Sequence, residues 1–126
     1  MNIAPKISVI MSVYNGEDYL AETIDSVLSQ TFTEWEFIII NDCSTDKTSQ
    51  MLEEYAAKDN RIKVHTNETN LRLPSSLNKA LALAQGKYIA RMDADDICMP
   101  DRLQKQYDFM ETNPQIDLSS CRFLTL

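Results

Sequence analysis

Glu36-Phe37-Ile38-Ile39-Ile40-Asn41 is an apolar run without a break, rich in β-branched residues and closed by polar residues at both ends. A strand with one wet face alternates polar and apolar residues. A strand that shows no alternation is buried on both faces, as in parallel sheets covered by helices. The neighbouring segments agree. Lys6 to Val13 reads as an earlier strand, and Tyr14-Asn15-Gly16 as the turn after it. Between the two strands, Glu17 to Gln30 carries Leu20, Ile24, Val27 and Leu28 at helical spacing, with Glu17 and Asp18 at the end where the helix dipole favours acids. Downstream, Ser44 or Thr45 is expected to cap a helix from Asp46 to Lys58 that turns Met51, Leu52 and Tyr55 inward. Ile62 to Thr66 is a short third strand. Ser75 or Ser76 opens a helix bearing Leu77, Leu81 and Ala84, which Gly86 ends as a C′ glycine. Lys87 to Met92 is a fourth strand. Pro100 stands as the first residue of a helix that reaches Thr112, where Asn113-Pro114 stops it, and Ile116 begins a further strand. This alternation of strands and helices predicts an α/β fold with a mostly parallel sheet and helices on both faces. Ligands in such sheets bind outside the carboxyl ends of the strands.

Composition narrows the function. A chain of 126 residues is about one domain. Lys and Arg total 12 against 19 Asp and Glu, a net charge of −7, which argues against a binder of nucleic-acid backbone but not against one small anion carried by a metal. Gly16 and Gly86 are the two glycines, so neither a GxGxxG turn nor a GxxxxGK[ST] phosphate loop can be written. The single histidine, His65, builds no His-rich zinc site and reads as a strand residue. Cys43, Cys98 and Cys121 form no CxxC and read as reduced thiols. No apolar run reaches the roughly 18 residues of a membrane span, and no signal peptide opens the chain, so a cytoplasmic chain is expected, touching membranes through parts outside it.

Three acidic residues fall within four positions in Asp93-Ala94-Asp95-Asp96, directly after the fourth strand. Like charges so close destabilise a fold unless something neutralises them. Mg²⁺ or Mn²⁺ would do so, because these ions prefer oxygen ligands and take one or two carboxylates plus substrate phosphates. In extended backbone Asp93 and Asp95, two apart, point the same way. The plain alternative is a solvated acidic loop with Asp96 capping a turn. Asp42, at the end of the second strand, either accepts a hydrogen bond from a ribose hydroxyl or a base N–H, or serves local capping. Ser44 and Asp46 read as caps. Tyr14 either stacks on a flat base or packs half-buried. Arg72, in the long loop after the third strand, either meets a phosphate or base carbonyl or is merely solvated.

Four segments together resemble family 2 glycosyltransferases: Ile7 to Asn15, Tyr19 to Thr31, Asn41 to Asp46, and Gly86 to Asp96 followed by Met99 to Leu103. They lie in the family's order and cover nearly the whole chain. The resemblance implies a GT-A (Rossmann-like) fold that binds a nucleotide-diphosphate sugar with Mg²⁺ or Mn²⁺. Carried over position by position, Ser12 would line the nucleoside pocket and Tyr14 would stack on the base. Asp42 would accept a hydrogen bond from that base, usually uracil. Asp93 would lie by the ribose as an accessory metal ligand, and Asp95 would hold the metal on the diphosphate. The acceptor would be a saccharide or lipid-linked saccharide in polysaccharide assembly, and the transfer would be inverting.

The chain departs from the family at two points. Asn70-Leu71-Arg72-Leu73 puts Arg72 where glycine is usual, so either the loop backbone differs or Arg72 adds a donor-binding charge. The family's general base comes from a downstream acidic motif that nothing here matches, and that role is not transferred to Glu111 or Asp117. The chain is expected to be the donor-binding half of a longer enzyme, without its acceptor-binding part. An exposed sheet edge would invite pairing into a homodimer. Two rival readings fare worse. A receiver-type, Mg²⁺-binding signalling module wants paired acids after the first strand and a phosphorylatable Asp after the third, where this chain has Tyr14-Asn15 and Asn67. A nucleotidyltransferase wants a glycine-rich basic loop after the first strand.

Overall fold

All seven residues of the strand Trp35–Asn41 are buried, the outcome expected for a strand covered on both faces. The computed structural model describes residues 4–114, 118–119 and 123–125. Its elements run β1 (Ile7–Val13), α1 (Leu20–Leu28), β2 (Trp35–Asn41), α2 (Thr48–Lys58), β3 (Ile62–Thr66), α3 (Arg72–Leu83), β4 (Tyr88–Arg91), α4 (Arg102–Thr112), β5 (Leu118–Ser119) and β6 (Phe123–Thr125). The sheet order is β3-β2-β1-β4-β6-β5. The first four strands are parallel, while β6 is antiparallel to β4 and β5 to β6. From β1 the chain steps outward to β2 and β3, then returns past β1 to β4. The crevice between β1 and β4 is therefore the topological switch point of the parallel part.

Side-chain alternation assigns the two faces. Ile7, Val9, Met11 and Val13 of β1 share one core with Leu20, Ile24 and Val27 of α1, Leu52 of α2, and Leu103 and Met110 of α4. Ile10, Ile38, Ile40 and Ile89 face the other way, onto Leu77 and Ala80 of α3. Both faces are thus dry, as the apolar strands require.

Element ends differ from the sequence expectation, and local turns or bonds to other segments accompany several of the differences. α1 begins at Leu20 rather than Glu17, because the Gly16 carbonyl accepts from both Tyr19 and Leu20 and makes a turn of the acidic pair. α2 begins at Thr48. Ser44 is not its cap: the Ser44 hydroxyl accepts from the Asn15 amide, and Asp46 Oδ1 accepts from the Thr48 amide. α3 begins at Arg72, ahead of Ser75, and ends at Leu83. Pro100 lies outside α4, its carbonyl taken by the Thr31 amide. Cys121, Asp117 and the expected strand start at Ile116 lie outside the described residues.

Gly86 is not a C′ glycine in left-handed backbone. A Cβ there would lie 2.7 Å from the Ser8 nitrogen and 2.8 Å from the Ile7 carbonyl carbon. The position is a close approach to β1, and its amide donates to Ser8 Oγ at 2.8 Å. Ser8 in turn donates to the buried Glu36 carboxylate at 2.5 Å, which also takes Lys63 Nζ at 2.9 Å and the Gln85 amide at 2.7 Å. Burial pushes the Glu36 carboxyl up, but these donors outweigh it and hold the group below its ordinary value.

A second acid clamp ties α4 to β4. Glu111 accepts from Lys87 Nζ at 2.6 Å, Tyr88 Oη at 2.6 Å and Tyr107 Oη at 2.9 Å. Lys87 first, then the two phenols, pull its carboxyl down to about 2. A carboxyl depressed in the folded state contributes stability above its unfolded value and loses it as pH falls toward the folded one. Acid melting of the wild type should therefore show a component between about pH 4.5 and 2. Glu111→Gln is expected to remove that component while leaving the neutral-pH fold intact, as thermal melts across pH would show.

Candidate functional site

The carboxyl ends of β1, β2, β3 and β4 form one rim, and bonds beyond the strands extend it. Asp42 N donates to Val13 O, Asn67 N to Asn41 O, and Met92 N to Ile10 O, each at 2.9 Å. Among the described residues, all three non-glycine residues with positive φ sit on the loops of this rim: Asn15 at 51°, Cys43 at 62° and Arg72 at 70°. Backbone held in this region by its surroundings concentrates at functional sites.

The first two rim loops are interlocked. Asn15 Oδ1 accepts from the Thr45 amide at 2.7 Å, and Thr48 Oγ1 accepts from the Gly16 amide at 2.9 Å. Glu17 and Asp46 exchange bonds with each other's loop, Glu17 Oε2 accepting from the Lys47 amide and Asp46 Oδ2 from the Glu17 amide. Tyr14, directly after β1, is half exposed. Ser12 is partly exposed near the end of β1.

Asp42 is buried. Its Oδ1 accepts from Asn67 Nδ2 at 2.9 Å and the Leu71 amide at 2.7 Å, and its Oδ2 from the Arg72 amide at 2.9 Å. Burial raises the carboxyl's pKa, but these donors prevail and hold it low and ionised. Asp42 is thus the anchor of the loop between β3 and α3. Asn67 extends the anchor to Ser76 Oγ and Lys79 Nζ. This loop role, carried by Asn67 and Ser76 as well, was not part of the sequence reading, which weighed only a ligand contact against local capping.

Arg72 holds left-handed backbone, φ 70°, at the position where the resembling family has glycine. A side chain in that region costs about 1–2 kcal/mol relative to glycine, partly offset by glycine's larger unfolded-state entropy. Arg72→Gly should raise stability by about 1 kcal/mol or slightly less, seen as a rise of a few degrees in Tm. If the Arg72 guanidinium also serves an anionic ligand, the same variant binds that ligand more weakly while melting higher.

The acidic segment after β4 is a turn. The Asp96 amide donates to the Asp93 carbonyl at 3.0 Å, and Asp96 Oδ2 accepts from the Asp93 amide at 3.0 Å. The extended backbone that would point Asp93 and Asp95 the same way is not what forms, because Asp96 closes the turn on itself. Asp93 is partly exposed and pairs with Arg91 at 3.4 Å. Asp95 sits exposed in the turn with no hydrogen bond or ion pair to any described residue. Among the described residues no three His, Cys, Asp or Glu side chains converge to hold a metal ion by themselves. The donor set is therefore two hard carboxylates. It fits a dication such as Mg²⁺ or Mn²⁺ that completes its shell with phosphate oxygens and water, and not a closed protein cage.

His65 stays within β3, Cys98 is buried, and Cys43 is half-buried with Sγ 3.5 Å from the Glu68 carbonyl. No helix among the described residues is long and apolar enough to cross a membrane.

The model of Glycosyl transferase family 2 matches residues 8–123. A Bacillus subtilis (strain 168) protein named "Putative glycosyltransferase EpsE" is 52% identical over 112 residues, covering 88% of this chain and 40% of its own length. The chain thus spans about two fifths of the curated relative it matches. The crystal structure of Staphylococcus aureus TarS 1–349 in complex with UDP superposes with a TM-score of 0.79 at 36% identity, covering 85% of this chain and 32% of that one. The same TarS fragment is also known with UDP-GlcNAc. A mannosyltransferase of Pyrobaculum calidifontis in complex with GDP-Man and Mn²⁺ shares the fold, with a TM-score of 0.76 at 23% identity over 86% of this chain and 33% of its own.

Proposed function

The chain belongs to Glycosyl transferase family 2, and from that premise we propose that it binds the diphosphate of a nucleotide sugar at the carboxyl rim of its sheet, for transfer of the sugar to a saccharide hydroxyl. The observation that carries this reading is Asp95: a carboxylate exposed in the turn after β4, with no hydrogen bond or ion pair to any described residue, at the switch point of the sheet. The like charges of Asp93, Asp95 and Asp96 in one turn disfavour each other, and a bound cation would relieve that. UDP and UDP-GlcNAc in TarS favour a uridine donor here.

In this reading Asp95, with Asp93 beside it, holds a Mg²⁺ or Mn²⁺ ion. When bound, that ion neutralises charge developing on the departing diphosphate. Tyr14 stacks its exposed ring on the base, and Ser12 borders the nucleoside. Asp42 offers its remaining Oδ2 lone pair to a base N–H while its other bonds fix the loop that closes the pocket edge. Arg72 places a cation on the same loop, suited to the diphosphate. Inverting transfer needs a base on the acceptor side. Glu111 is not that base, since it is clamped beside Tyr88, the first residue of β4, at the far end of the sheet from the rim. In this reading the rim residues serve the donor half of the reaction.

Calorimetry with UDP, with and without Mn²⁺, tests the reading. Binding that strengthens with Mn²⁺ is expected. Absence of UDP binding under both conditions overturns it.

A further inference from the structure

Three polar side chains interrupt the apolar inner face of α1 and the residues after it. Thr23, Ser26 and Gln30 are buried, and their spacing of three and four residues puts them on one face. Each reaches the irregular segment between β4 and α4. Thr23 Oγ1 donates to the Ala94 carbonyl at 2.7 Å. Ser26 Oγ accepts from the Cys98 amide at 2.9 Å. Gln30 Nε2 donates to the Met99 carbonyl at 2.6 Å, and its Oε1 accepts from the Leu103 amide at 3.0 Å. The three are also chained to one another, Ser26 Oγ donating to the Thr23 carbonyl at 2.7 Å and Gln30 Nε2 to the Ser26 carbonyl at 3.1 Å.

Buried polar groups inside an apolar face are costly unless each is satisfied, and a satisfied chain of them fixes one geometry. What this chain fixes is a segment with no regular structure of its own between Met92 and Asp101, carrying the acidic turn. Its first rung grips Ala94, the residue between Asp93 and Asp95. We infer that Thr23, Ser26 and Gln30 are positioning residues that set the placement of the Asp95 carboxylate and hence its affinity for a divalent cation. The inference rests on the donor-binding reading for the identity of the ligand, but not for the placement of the turn. Groups that orient metal ligands from outside typically change metal affinity by about 10–100-fold when removed.

The test uses Thr23→Val, which keeps the shape and removes the donor, and Thr23→Ser, which restores it. Mn²⁺ affinity in the presence of UDP is read by the paramagnetic resonance of free Mn²⁺. Amide exchange at Ala94, Asp95 and Asp96 is read in the metal-free chain. Thr23→Val is expected to weaken Mn²⁺ about 10-fold and to speed exchange at the turn. Thr23→Ser is expected to stay near wild type, and UDP binding without metal to be unchanged in both. Ser26→Ala, which adds no bulk, reports independently and is expected to shift both readouts in the same direction. Wild-type Mn²⁺ affinity and wild-type exchange in folded Thr23→Val or folded Ser26→Ala overturn the inference. If wild type itself takes neither Mn²⁺ nor UDP, the donor-binding reading fails, while faster turn exchange in Thr23→Val still upholds the positioning.

Discussion

Asp95→Ala is expected to lower Mn²⁺-supported affinity for UDP at least about 100-fold, roughly 2.7 kcal/mol, with no loss of stability. The two halves of this expectation have separate causes. Asp95 is exposed and bonds to no described residue, so truncation removes nothing that holds the fold. Exposed substitutions of this kind fall within about 0.5 kcal/mol. The sign should even be slightly favourable, because Asp93 and Asp96 remain in the turn and lose a repelling neighbour. Binding moves the other way, since a cation held at this turn would lose one of its two carboxylates, the one with no bond to a described residue. Asp93 is left as the single carboxylate and is shared with Arg91 at 3.4 Å, so it compensates only in part. Asp95→Asn should fall between, keeping an oxygen ligand without its charge. Calorimetric titration and thermal melting on the same samples check both halves. A chain that binds UDP and Mn²⁺ as well without the Asp95 carboxylate would show that the cation, if any, is held elsewhere.

The parts of this molecule that could be read in advance are those whose cause is local. The unbroken run at Phe37 to Ile40 is buried on both faces because nothing in it needs water, and β3 spans Ile62 to Thr66, as the sequence predicts. The position of Asp95 at a strand's carboxyl end also follows from counting along the chain. Several of the misread features depend on partners 29 to 78 residues away. Gly86 looks like a helix stop from its neighbours, yet its reason is the β1 backbone 78 residues earlier. Ser44 looks like a cap for the next helix but serves the Asn15 amide. The polar trio on α1 gains its role only once the segment at Ala94 to Leu103 folds over it. Its signal was present, as polar residues at i, i+3 and i+7 on a face that should be dry. The antiparallel addition of β6 to β4 had no local signal.

Asp42→Ala should cost about 3–4 kcal/mol and drop Tm by more than about 10 °C. Its carboxylate is buried and accepts three hydrogen bonds, two from main-chain amides. Bonds to a charged acceptor contribute about 1.5–3 kcal/mol each, and a donor left without a partner adds its desolvation cost. The Arg72 amide keeps Asn70 Oδ1 at 3.1 Å, whereas the Leu71 amide has no second acceptor among the described residues. The loss is therefore less than three full bonds and more than one. Asp42→Asn is expected to cost about 2 kcal/mol, because its amide places an NH₂ against a donor it used to accept from. Acid behaviour gives an independent check. A carboxyl held below its ordinary value contributes stability above about pH 4 that fades as pH falls through the lowered value, so both variants should flatten that limb of the melting profile. This separates the anchor from a base contact alone. A residue serving only a nucleotide would weaken UDP binding and leave the melting temperature of the free chain untouched. Here the unliganded melt should fall first, and donor affinity should fall with it because Arg72 and the pocket edge are no longer held.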